Sequence, residues 1–188
     1  VDRLSGGKVG YVHVRSMGDA SYRVVIEEVF GLSADKEALI VDTRFNGGGN
    51  LHDTLADFLS GKVVFDIVPR GQVVGVEPYN KWVKPSLVLM GECNYSDAHL
   101  FPVEYKVRGL GQTLGMPVPG TGTFVWWENQ IDPTLRFGIP QGGWRTPDGK
   151  LCENNQLEPD IKVKNDPDVM AAGRDQQIEA AVKELLKK

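Results

Sequence analysis

The residues best placed to do chemistry are Asn94-Tyr95-Ser96-Asp97-Ala98-His99. They follow the apolar run Ser86-Leu87-Val88-Leu89-Met90-Gly91 and precede a periodic apolar stretch through Leu100, Phe101, Val103, Tyr105 and Val107. The pattern predicts a strand, a tight turn and a helix, with a serine hydroxyl at the turn. A hydroxyl there is exposed at the carboxyl end of a strand. The unpaired N–H groups and positive end of the following helix would stabilise negative charge on an attacked carbonyl oxygen. That is the placement a nucleophilic serine requires. An ordinary helix N-cap has the same composition, because Ser and Asp are favoured at helix starts for local hydrogen-bonding reasons.

A second segment, Ala38-Leu39-Ile40-Val41-Asp42-Thr43-Arg44-Phe45-Asn46-Gly47-Gly48-Gly49-Asn50, runs from an apolar strand into three consecutive glycines. The next residues place Leu51, Leu55, Phe58 and Leu59 on one helical face, closed by Ser60-Gly61. Glycines between a strand and a helix let backbone N–H groups approach a ligand closely and point at an anion. Three readings follow: a phosphate loop, a plain connection, or half of an oxyanion hole whose other N–H lies beside Ser96. No Gly-Lys-Ser/Thr follows, and the spacing does not make Gly-x-Gly-x-x-Gly, which weakens the phosphate reading.

These two turns need a scaffold, and the rest of the chain predicts one. Strands are expected over 8–14, 38–43, 62–66, 72–76 and 86–90, with helices over 20–30, 51–59 and 97–108. Tyr22, Val25, Ile26 and Val29 share one face of the first of these helices. After Gly111 the pattern changes to short strands over 122–127, 135–137 and 142–145, then a Pro147-Asp148-Gly149 turn, a loop at Asn165-Asp166-Pro167-Asp168 and a closing helix from about Asp175. The early βαβα alternation implies an α/β fold with a mostly parallel sheet and right-handed crossovers, to which the later strands add a small antiparallel part. Ligands of such sheets gather beyond the carboxyl ends of the strands, where Gly47 to Gly49 and Ser96 both fall. Trp126, Trp127, Phe137 and Trp144 are expected to supply buried packing area for the antiparallel part.

At 188 residues the chain suits one domain with a sizeable core. A net charge of -4, with Lys and Arg scattered, argues against a nucleic-acid or anionic-membrane partner. No apolar run is long enough to cross a bilayer and no targeting segment is visible, which leaves the compartment, cytoplasmic or periplasmic, unassigned. Cys93 and Cys152 are the two cysteines. Two buried thiols are the default. Cys93 stands three residues before Ser96 and Cys152 immediately before Glu153, so convergence of those residues would make a bridge an alternative, implying an oxidising compartment.

Gly-Lys-Val-Gly-Tyr-Val-His-Val at 7–14, the run at 42–49, Asn94 to Asp97, and Glu153-Asn154-Asn155-Gln156-Leu157-Glu158-Pro159-Asp160-Ile161 resemble, in order and spacing, the C-terminal catalytic region of tricorn-type serine peptidases, relatives of the carboxyl-terminal-processing proteases. The resemblance covers nearly the whole chain and implies the crotonase/Clp-protease-like spiral fold. It makes Ser96 the nucleophile and assigns the oxyanion hole to the amides of Gly49 and Asp97. Glu153 takes the place of the acidic residue that orients the catalytic histidine, and Asp66 that of an aspartate favouring a basic P1 side chain. It implies a peptide or protein substrate, upstream domains of the same polypeptide and a possible homo-oligomer, with no metal or organic cofactor. From the residues alone, Glu153 also suits a solvated loop carboxylate, and Asp66 an edge-strand charge that discourages aggregation.

The family's general base is a histidine upstream of the strand that opens this chain. Among the histidines here, His13 falls in the first strand, His52 follows the glycines, and His99 lies one turn beyond Ser96. A serine–lysine dyad, the other option in these families, would need a lysine in the stretch 117–124, which has none, and Lys106 lies on the helix of Ser96 itself. Without a base a serine hydroxyl is a weak nucleophile at neutral pH. The expectation is therefore a C-terminal peptidase core, residues 1–188, that lacks its histidine and is inactive in isolation. The alternative is a non-catalytic binding module of the same fold that holds a hydrophobic ligand or peptide.

Overall fold

Ala38-Leu39-Ile40-Val41 and Leu87-Val88-Leu89-Met90 are apolar without alternation, which suits strands covered on both faces. A computed structural model describes residues 1–187 and places them so. Its helices are α1 (Asp2–Ser5), α2 (Asp19–Gly31), α3 (His52–Leu59), α4 (Asp97–Val107), α5 (Pro167–Ala171) and α6 (Gln176–Leu185). Its strands are β1 (Val9–His13), β2 (Ala38–Asp42), β3 (Phe65–Ile67), β4 (Gly75–Glu77), β5 (Ser86–Met90), β6 (Gln112–Gly115), β7 (Thr123–Asn129), β8 (Arg136–Gly143) and β9 (Ile161–Lys162).

The main sheet is parallel throughout, in the order β1-β2-β5-β6-β9. Period-two alternation divides the apolar residues of β2 and β5 between two cores. Leu39, Val41 and Val88 pack with Val25 and Val29 of α2, Leu55 and Phe58 of α3, and Phe101 and Tyr105 of α4. Ala38, Ile40, Leu87 and Leu89 pack on the other face with Ala181 and Val182 of α6. The result is a mixed α/β architecture of three layers. Two antiparallel hairpins, β3-β4 and β7-β8, stand apart from the sheet.

Several expectations needed correction. The two short strands expected over 135–137 and 142–145 are replaced by one strand, β8 (Arg136–Gly143), which runs through the intervening Gly138-Ile139-Pro140-Gln141. Pro167 begins α5 instead of lying in a loop: the Asp166 side chain accepts the N–H of Asp168, and proline at the first helical position gives up no bond. Trp126, Trp127 and Phe137 are about half exposed instead of buried, because a two-stranded hairpin has no second layer to pack on. Trp127 stacks under the Arg136 guanidinium, 4.5 Å from the ring centre. Both cysteines are free thiols, and Cys93 is exposed where a buried thiol was expected. No described helix is long and apolar enough to cross a membrane.

Candidate active site

Ser96 occupies the turn between β5 and α4 with φ +54° and ψ -120°. A non-glycine residue in that region costs on the order of 1–3 kcal/mol and persists only where surroundings impose it. Asn94 supplies much of the restraint. Its buried amide nitrogen donates to Thr43 Oγ1 at 2.9 Å and to the carbonyl of Ala98 at 3.1 Å, while its oxygen accepts the N–H of Gly91 at 3.2 Å. The Ala98 carbonyl is available because Pro102, inside α4, has no N–H to give it. The backbone N–H of Ser96 donates to Thr121 Oγ1 at 2.9 Å.

The glycine loop lies against this turn. A Cβ on Gly48 would come within 2.7 Å of the Tyr95 carbonyl, 2.8 Å of Ser96 Cβ and 3.2 Å of the Asp97 nitrogen. One on Gly49 would lie 1.8 Å from the Met17 carbonyl, and both residues have positive φ. Glycine is required at both positions by approach and conformation together. Asn46 shapes the loop: its oxygen accepts the N–H of Gly48 at 2.9 Å and its nitrogen donates to the Val14 carbonyl at 2.7 Å. Neither the Gly49 nor the Asp97 amide has an acceptor among the described residues.

Beneath the loop, Asp42 at the end of β2 accepts from Tyr11 at 2.9 Å and from the Arg44 guanidinium at 2.6 Å. Arg44 continues to Asp175 Oδ2 at 2.8 Å and Gln177 Oε1 at 2.7 Å, which ties the loop to the start of α6. Burial and the charge of Asp42 push the Tyr11 phenol well above its ordinary pKa.

Asp97 has a second use. Its carboxylate accepts the N–H groups of Leu51 (2.6 Å) and His52 (3.0 Å), capping α3 from outside that helix, and meets His52 Nδ1 at 2.5 Å. The hydrogen bond to Asp97 raises the His52 pKa above its ordinary value. His99 is fully buried, and its Nδ1 accepts the N–H of Thr121 at 3.2 Å. Burial lowers its pKa. His13 Nε2 lies 3.2 Å from the Arg44 carbonyl, and Lys106 is paired with Asp160 at 2.7 Å. All three histidines and Lys106 thus have partners other than the hydroxyl of Ser96.

Glu153 reaches the same region by a separate route. Residues 118–122 run beside 152–157 through the reciprocal Val118–Leu157 bonds (3.0 Å each) and Asn154 N–H to the Gly120 carbonyl (3.0 Å). A Cβ at Gly120 or Gly122 would collide with this neighbouring backbone. Glu153 is half-buried and accepts the hydroxyl of Thr123 at 2.7 Å, two residues along from the Thr121 that holds Ser96. Asp66 lies in the middle of β3, not at a strand end. It is exposed, faces Val76 across the hairpin, and makes no ion pair with Arg70 or any other described residue.

The sequence brings Ser96, Gly49 and Asp97 into view and includes Asn46 and Asn94 in its motifs, but it assigns no role to those two asparagines, to Thr121 or to the Asp97 carboxylate. Only Asn46 carried a local signal, an asparagine two residues before a glycine in a turn.

Residues 8–163 match the model of Peptidase family S41, and the chain belongs to that family. It is 28 % identical over 191 residues to the tricorn protease of Thermoplasma acidophilum, an alignment covering 99 % of this chain and 17 % of that protein. Against tricorn protease homolog 1 of Streptomyces coelicolor it is 28 % identical over 185 residues, 97 % of this chain and 17 % of the relative. The crystal structure of the tricorn protease superposes with a TM-score of 0.82 at 28 % identity, over 98 % of this chain and 18 % of the other. The photosystem II D1 C-terminal processing protease shares the fold, with a TM-score of 0.67 at 19 % identity over 96 % of this chain and 47 % of its own. The chain therefore spans a small part of the length of the curated relatives it matches.

Proposed function

We propose that this chain is the C-terminal catalytic domain of a larger serine peptidase of the tricorn type, and that Ser96 is its nucleophile. The observation carrying this reading is the strained backbone of Ser96 at a strand-to-helix turn, with Gly48 packed directly against it. A helix N-cap needs neither the strain nor the close glycine.

In the proposed reaction Ser96 Oγ attacks the scissile carbonyl carbon while a general base takes its proton. The amides of Gly49 and Asp97 receive the developing oxyanion. The base returns the proton to the leaving amine, and water then hydrolyses the acyl-serine ester. Because the histidines of this chain and Lys106 are engaged elsewhere, the base is assigned to a histidine of another part of the polypeptide, with Glu153 as its orienting carboxylate. Asp66 is proposed to favour a basic P1 side chain. Further domains, and possible copies of the chain, are the proposed partners of the exposed apolar faces of the two hairpins, which carry Phe65, Ile67, Trp126 and Ile139.

Labelling with a fluorophosphonate tests the reading. The full-length protein should be labelled at Ser96 and its Ser96→Ala form should not, while the isolated 188-residue chain should hydrolyse peptides barely above background. Robust turnover by the isolated chain would remove the assignment of the base to another part of the protein. Absence of labelling in the full-length protein would favour a module that binds without chemistry.

A further inference from the structure

Phe45, Cys93, Met116 and Lys164 follow the carboxyl ends of β2, β5, β6 and β9, and all four line one cavity of about 250 Å³, with Met170 of α5 also on its wall. Open parallel sheets bind their ligands at that end of the strands. The less exposed polar side chains of the lining are committed to one another: Arg44 donates to Asp175 and Gln177, and Asn165 donates to the same two. Glu92 and Lys164 are exposed, without an ion pair among the described residues, and opposite in charge. The apolar contacts left to a ligand are Phe45, Met116 and Met170. Phe45 has the least structural reason for its place. Its φ is +64° and its side chain is 77 % exposed. Glycine or asparagine takes left-handed backbone at lower cost, and an exposed ring gains the fold no buried area.

The cavity adjoins the candidate nucleophile. The N–H of Tyr95 donates to the carbonyl of Asn46 at 3.0 Å, with Phe45 one residue before that carbonyl and Ser96 one residue after that N–H. An extended peptide advances about 3.3–3.6 Å per residue, so it crosses from Ser96 to Phe45 within about four residues. We propose that this cavity is a subsite for one apolar side chain of the peptide substrate, at a position other than P1 and within about four residues of the scissile bond. The inference rests on the peptidase reading of Ser96. Two thioethers and one ring adapt to aliphatic and aromatic occupants alike, so the subsite selects apolar over polar side chains without selecting one shape. Its Glu92 and Lys164, one of each sign, give a charged side chain an opponent as well as a partner.

The test gives the full-length protein internally quenched peptides with Arg at P1 and Leu, Ser, Lys or Glu in turn at each other position from P4 to P4′. At one position Leu should exceed the other three in kcat/KM by about tenfold, the discrimination an open apolar pocket provides. Phe45→Gly should abolish that preference without lowering the midpoint of the chain in denaturant melts, because the backbone at this position suits glycine. A residue that served only the fold would lower the midpoint. Cys93 gives a reading without turnover. In the full-length Ser96→Ala form, a saturating Leu peptide should slow alkylation of the exposed Cys93 thiol by N-ethylmaleimide, followed at that residue by mass spectrometry. A preference that survives Phe45→Gly, a lowered midpoint, no position that prefers Leu, or unhindered alkylation would overturn the subsite while fluorophosphonate labelling still upheld Ser96 as nucleophile. Absence of that labelling in the unmutated protein would overturn both.

Discussion

Thr121 Oγ1 accepts the backbone N–H of Ser96 at 2.9 Å, across a separation of 25 residues. The bond anchors a serine whose own φ resists the conformation it adopts. Thr121→Val keeps the shape and removes the acceptor, leaving a half-buried N–H unpaired at a cost of about 1–3 kcal/mol. If that strain positions the nucleophile, the full-length Thr121→Val protein should react with a fluorophosphonate roughly tenfold to a hundredfold more slowly, and Thr121→Ser should restore the rate. An unchanged labelling rate would show that the turn holds without Thr121.

The three glycines at 47–49 should respond very differently to one added methyl group. At Gly47 a Cβ meets nothing within 4 Å, so Gly47→Ala should change stability by less than about 1 kcal/mol. Gly48→Ala meets the Tyr95 carbonyl and Ser96 Cβ at positive φ, and Gly49→Ala drives into the Met17 carbonyl. Each of these should cost about 2–4 kcal/mol, combining overpacking and backbone strain. Denaturant melts of the three variants decide it, and three similar midpoints would refute the close approach of the loop.

The scaffold was more legible than the site, and the particular residues say why. Strand β5 and the start of α4 were readable because an unbroken apolar run ends at a turn and a 3.6-residue period begins. Strands β6 and β9 went unread. They have four and two residues, too few for periodicity, and exist only by pairing with β5 and with each other. Ser96 and the glycines were visible as local patterns. Thr121, and the Asp97 carboxylate that caps α3, were not, since each acts on a segment distant in sequence and nothing in its own neighbourhood announces the partner.

His52 and His99 should titrate on opposite sides of the ordinary imidazole value, about 6.5. The hydrogen bond to Asp97 raises His52, so its pairing stabilises the fold fully below about 6.5 and fades as pH rises through its higher folded value. Burial lowers His99, so its neutral form contributes fully above about 6.5 and the contribution is lost as pH falls through its lower folded value. Carbon-detected NMR of the two rings against pH measures both directly. Two titrations on the same side of 6.5 would contradict one of the two environments described.

The proposed role of Asp66 is in specificity. A fixed carboxylate favours Lys or Arg at P1 only where it is partly withdrawn from water, because an exposed charge pair is worth little. In this chain Asp66 lies on an exposed two-stranded hairpin whose apolar neighbours, Phe65 and Ile67, are also uncovered. Some further surface must therefore cover the hairpin before the charge can discriminate. In the full-length protein, Asp66→Asn should lower kcat/KM for Arg and Lys substrates several-fold and leave Leu and Phe substrates nearly unchanged. Equal losses for both classes would mark Asp66 as a charge that keeps a hairpin edge soluble. No loss for either would mean that P1 is read elsewhere.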